Sequence, residues 1–244
     1  MNEDLLDIKY SQLRLYDFAP LFNPINYNGK ELSDEERKGL VTIIDETISD
    51  YSAGLPRIQD VLESSRNLQG EYHTVNSTVA SVLLFTTLTM SDCLASCKYF
   101  ILADTDYDRR FMRGKMMIIL NEGFKQLYGF DTKTQKKSEW SRLETLMGHF
   151  PADIQRQYAE LTDLLQQHAQ SSSWWKDERD YETHFDAEKL YLSRQEEVIE
   201  SKVITDNVKL FNTLHAISLF LGNVHACLLN YLLDKHHRGE LVSE

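Results

Sequence analysis

The sequence predicts an all-α protein: a single-domain antiparallel helical bundle of six to eight helices spanning residues 1–244. Three observations point there. The chain carries only 10 Gly and 4 Pro in 244 residues, under half of ordinary usage. An all-β fold needs a turn signal every ten residues or so, and a doubly wound sheet needs Gly-rich strand-to-helix turns. Apolar residues recur at helical spacing over long stretches. A hydrophobic fraction of 42% with 11% aromatics is ample for a packed core and excludes disorder.

The elements follow in chain order. Residues 1–32 read as an irregular N-terminal segment packed on the bundle, with a short helix within Leu5 to Phe18 and turns at Pro20, Pro24 and Asn28-Gly29. Ser33-Asp34-Glu35-Glu36 is a capping box, and Leu40, Ile43, Ile44, Ile48 and Tyr51 continue its helix. Gly54-Leu55-Pro56 is expected to end that helix and start the next, with Pro56 in the first turn. Thr74 to Leu102 is apolar nearly all round and reads as a central buried helix. Its Thr and Val content suits a strand, but its length does not. Asp104 to Asp108 supplies negative charge at the start of a helix running to Tyr128, and Gly129 marks its stop. Thr132 to Ser138 reads as a basic loop, Trp140 to Phe150 as a short helix, and Pro151 opens another through Leu165. Beyond the Ser171–Ser173 tract, a helix is expected over Ala187 to Glu200, then a last one over Ile204 to His236.

The balance of 26 basic against 38 acidic residues, net −12, excludes a generally basic nucleic-acid surface but not a local basic patch. The acidic N-terminus has no apolar h-region behind it, so no secretory signal is expected. The apolar run Val79 to Met90, broken by threonines, reads as too short and too polar to span a bilayer. The cysteines Cys93, Cys97 and Cys227 read as free thiols of a reducing compartment. A soluble cytoplasmic protein without a membrane partner is the expectation.

Metal and cofactor motifs are weak. Cys93 and Cys97 lie one helical turn apart, but His225 and Cys227 cannot both join them on one ion. Asp104, Asp106 and Asp108 imitate a calcium loop whose sixth and twelfth positions are occupied by Arg109 and Lys115 rather than Gly and Glu. Glu-x-x-His pairs, phosphate-binding Gly loops and Gly-x-Ser-x-Gly elbows are absent from the sequence. No metal and no cofactor are expected. Asp92 and Glu122 each interrupt an apolar helix, and a buried carboxylate needs a partner; Arg109, Arg110 and Arg113 are the expected ones. The same basic run, with Lys115, is either a solvated helix face or a phosphate-contacting patch.

One motif remains, Arg179-Asp180-Tyr181-Glu182-Thr183-His184. It resembles the Arg-polar-x-x-x-His signature of the HEPN superfamily, helical bundles found among prokaryotic toxins and anti-phage defence proteins. Arg66/His73 and Arg142/His149 are looser matches; Arg179 has the tighter spacing and Asp180 beside it. The resemblance implies a HEPN-like bundle that forms a homodimer or binds a protein partner, in a defence or toxin–antitoxin setting. In active members it implies metal-free cleavage of RNA. His184 would then shuttle protons, Arg179 would stabilise charge on the scissile phosphate, and Asp180 would orient the pair. Arg109, Arg110, Arg113 and Lys115 are the candidate RNA contacts. From Ser171 to Leu190 there are three basic against six acidic residues, a surface that repels RNA unless the Arg109–Lys115 run packs beside it. A bundle acting without catalysis is therefore the leading expectation. A metal-independent endoribonuclease is the alternative, and a small-molecule pocket beneath Asp92 and Glu122 is a third possibility.

Overall fold

A computed structural model describes residues 33–66, 70–171, 175–177, 179–180, 188–189 and 198–237. The expected N-terminal segment, the motif residue His184 and most of the expected 187–200 helix lie outside them. Among the described residues every regular element is a helix: α1 (Asp34–Ser65), α2 (Gly70–Ile101), α3 (Asp106–Leu127), α4 (Thr132–Gln135), α5 (Glu139–Glu144), a 3₁₀ turn (Met147–His149), α6 (Ala152–Ser171) and α7 (Val198–His237). This is the all-α bundle that the sequence predicts.

The capping box forms. Ser33 Oγ accepts from Glu36 N at 3.3 Å, and Glu36 Oε2 accepts from Ser33 N at 2.7 Å. The break expected at Gly54–Pro56 does not occur, and α1 runs through Pro56 to Ser65. Ser52 and Pro56 are exposed, so water can satisfy the Ser52 carbonyl that loses its donor to the proline ring. On the opposite face Tyr51, Leu55, Ile58 and Val61 carry the inward stripe across the proline, and packing on α2 holds the helix in one piece.

α2 is the hub, packed against α1, α3, α5 and α7. Its threonines suit a helix because their hydroxyls bond back one turn: Thr87 Oγ1 donates to Leu83 O at 2.8 Å and Thr89 Oγ1 to Phe85 O at 2.9 Å, so neither is buried unsatisfied. The helix is longer than the run Val79 to Met90. From His73 to Ile101 it is long and apolar enough to cross a membrane, but 56% of its most apolar window is buried within the bundle, as a core helix requires. α1 and α7 both run antiparallel to α2. Lys98–Asp45 at 2.6 Å and His73 Nδ1–Ser65 O at 2.7 Å set the first register; Asn207–Ser96 at 3.4 Å and Ser218–Thr86 at 3.3 Å set the second.

α3 returns along α2 after a short turn. Thr105 caps it, accepting from Asp108 N at 3.1 Å, so Asp108 belongs to a helix start. A Cβ on Gly123 would stand 3.0 Å from Thr89 Cγ2 and 3.4 Å from Leu210 Cδ2, which lets α3 approach α2 and α7 closely. Gly129, at φ +87°, stops α3 as expected. The expected basic loop is instead the short α4, begun by the Asp131–Thr134 capping box, and the Trp140–Phe150 helix divides into α5 and the 3₁₀ turn. Trp140 then joins α5 to α6, stacked on Tyr158 with centroids 4.7 Å apart and donating from Nε1 to Thr162 at 2.9 Å.

Candidate functional site

The described part of the motif segment is fixed by Trp175. This residue has φ 55°, a left-handed conformation that bulky side chains seldom adopt, and its side chain is buried. Its indole Nε1 donates to Asp206 Oδ2 on α7 at 3.0 Å, and Lys202 Nζ stands 5.1 Å from its ring centroid. Burial, a charge-assisted hydrogen bond and a cation–π contact together offset the backbone strain. The Trp175 carbonyl then accepts from Arg179 N at 2.8 Å, which carries the anchor forward to the motif.

Arg179 turns its guanidinium onto α3. Nη1 lies 3.2 Å from Glu122 Oε1 and 3.0 Å from Asp180 Oδ1. The other Glu122 oxygen, Oε2, is 3.5 Å from Lys125 Nζ. The arginine side chain is 17% exposed and the glutamate 47%. The partners expected for Glu122 in the Arg109–Arg113 run are therefore replaced by Arg179 and Lys125. Asp92 also departs from expectation: it lies on the exposed stripe of α2 and has no ion pair among the described residues. Partial desolvation nevertheless raises its carboxyl above the usual range.

The basic run does not form one solvated face. Arg113 is buried, Arg109 and Arg110 are half-buried, and only Lys115 is exposed, with its Nζ 5.0 Å from the Phe111 ring centroid. Lys115 and Glu122 share the outward stripe of α3, seven residues or about 10 Å apart. The helix carrying the basic run is thus the helix that Arg179 meets, but the residue it meets there is acidic.

Cys93 and Cys97 are buried free thiols, and Cys227 is free and half-buried. Burial pushes the thiols of Cys93 and Cys97 well up, so neither offers a thiolate near neutral pH. Among the described residues no three His, Cys, Asp or Glu side chains converge as metal ligands. The sequence reading missed the Trp175–Asp206 pair. The signal was present: Asp206 breaks the apolar pattern of its helix just as Asp92 and Glu122 break theirs. Comparison with family models, with curated proteins and with solved structures finds no match to this chain.

Proposed function

We propose that this chain is a HEPN-like helical bundle that acts without catalysis, by forming a homodimer or by docking a protein partner, in a defence or toxin–antitoxin setting. The observation that carries this reading is the state of Arg179. Its guanidinium is occupied by two carboxylates, Glu122 and Asp180, which is the arrangement of a structural ion pair more than of a phosphate receptor. A docking role also has surface to work with. Tyr99, Leu102, Tyr107 and Phe111, exposed by 40% to 67%, cluster by sequence around the α2–α3 turn. Size-exclusion chromatography with light scattering tests the proposal: a dimer or a stoichiometric co-purifying protein is expected, and an inert monomer counts against it.

The second reading is a metal-independent endoribonuclease using Arg179, Asp180 and His184. What favours it is that Arg179 packs against α3, the helix that carries Arg109, Arg110 and Lys115, the accessible members of the basic run that this reading requires; Arg113 is buried and is withdrawn as an RNA contact. The purified protein should then cleave single-stranded RNA in the presence of a chelator, and His184→Ala should abolish the cleavage. RNA left intact with and without divalent metal overturns this second reading.

A further inference from the structure

We propose that the open stripe of α2, from Leu88 to Leu102, is a docking groove for the chain's own N-terminal residues 5–18, with Lys9 set against Asp92. Those residues lie outside the described part of the chain; the stripe, the place where α1 begins and the sequence itself point to them.

α2 is covered unevenly. Leu88, Asp92, Ala95, Tyr99 and Leu102 recur at intervals of four, three, four and three residues, which is one face of a helix. Leu88, Tyr99 and Leu102 are 45%, 56% and 47% exposed; Asp92 is exposed and Ala95 half-buried. α5 meets this face at Ser81, two turns before Leu88, where Ser81 Oγ accepts from Arg142 Nη1 at 3.3 Å. The stretch beyond is about 21 Å long. It is apolar except for Asp92, whose carboxylate is partly desolvated there and has no ion pair among the described residues.

The Lys98–Asp45 pair fixes the end from which the N-terminal segment arrives. α1 extends from Asp45 back to Asp34, about 16 Å further along, so it begins past the end of α2, at the Leu102 end of the stripe. Residues 19–32, with Pro20, Pro24 and Asn28-Gly29, are long enough for the chain to turn back. A helix over residues 5–18 is then about 20 Å long, the length of the open stripe. Its Leu6, Lys9, Leu13 and Tyr16 recur at intervals of three, four and three, so this face too is apolar with a single charge. With Phe18 level with Leu102, Lys9 lies about 14 Å down the groove, and Asp92 about 15 Å. The one cation of the face thus meets the one carboxylate of the stripe. Tyr107 and Phe111 belong to α3 rather than to this stripe, so a partner protein still has them to dock on.

Native-state amide exchange of the full chain tests the groove. A free helix of this length is marginal in water, so protection of the amides of residues 9–18 reports docking. Protection of about tenfold or more over the random-coil rate is expected. It should fall about threefold in Asp92→Lys and in Lys9→Asp, the scale of one partly exposed ion pair, and return in the double swap Lys9→Asp/Asp92→Lys. Leu88→Asp and Leu102→Asp, at exposed positions that the fold tolerates, should remove it. Benzoylphenylalanine in place of Tyr99 should cross-link, on illumination, to residues 5–18 of the same molecule. Exchange at the random-coil rate, or protection that survives both leucine substitutions, overturns the proposal. So does a cross-link to a second copy or to another protein, or the absence of one to residues 5–18. A double swap that fails to restore protection overturns the pairing of Lys9 with Asp92.

Discussion

At the scale of single residues, the carboxylate of Asp206 is buried and accepts the indole N–H of Trp175 at 3.0 Å, and the strained Trp175 backbone depends on that contact. Asp206→Ala leaves the N–H without its acceptor at a cost of about 2 kcal/mol, to be read as a lower urea midpoint; an unchanged midpoint would mean that the anchor contributes no stability. His168 gives a pH dependence. Its Nδ1 lies 3.2 Å from Thr213 Oγ1, whose own proton goes to Lys209 O at 2.8 Å, so the ring donates from Nδ1. Burial, with Lys209 adding, lowers its pKa from 6.5 to about 4. The folded state therefore refuses a proton that the unfolded chain takes up. Stability is complete above pH 6.5 and falls as the pH drops toward 4, by at most about 3 kcal/mol, reduced further because the ring is only half buried and solvent screens its charge. Denaturation midpoints measured across this window should flatten in His168→Gln; burial lowers His215 and His225 too, so part of the slope should persist.

At the scale of elements, α1 contains its proline in mid-helix. Pro56→Ala restores an amide donor on the exposed side and removes the ring's clash, and is expected to stabilise the protein by about 1–2 kcal/mol. Equilibrium denaturation decides it, and destabilisation would mean that the ring is needed in its present environment. The same helix shows where the sequence was legible. Its start was readable because a capping box is local chemistry, and so was the stop of α3 at Gly129. Its continuity was not, because α2 supplies the packing that carries the helix past Pro56. The candidate site divides in the same way. Arg179 and Asp180 were visible as a motif, and Asp92 and Glu122 as carboxylates out of place. The pairing of Arg179 with Glu122 was not visible, since 57 residues separate them in the sequence and no local pattern encodes a contact at that distance.

At the scale of the whole molecule, the packing is uneven. α2 has helices on nearly every side, whereas α1 lies against α2 and turns its other face to solvent. Native-state hydrogen exchange should show α1 opening at a lower free energy than α2, whose amides exchange only on global unfolding; equal protection of the two helices would contradict this. The position of α2 also has a consequence for synthesis. Its contacts with α7 join residues 111 and 132 positions apart. At ribosomal rates, the later of these partners follows α2 by roughly 5–25 s. Throughout that interval the nascent chain presents an apolar helix whose final cover has not yet been made, so the order of translation itself creates a client for chaperones.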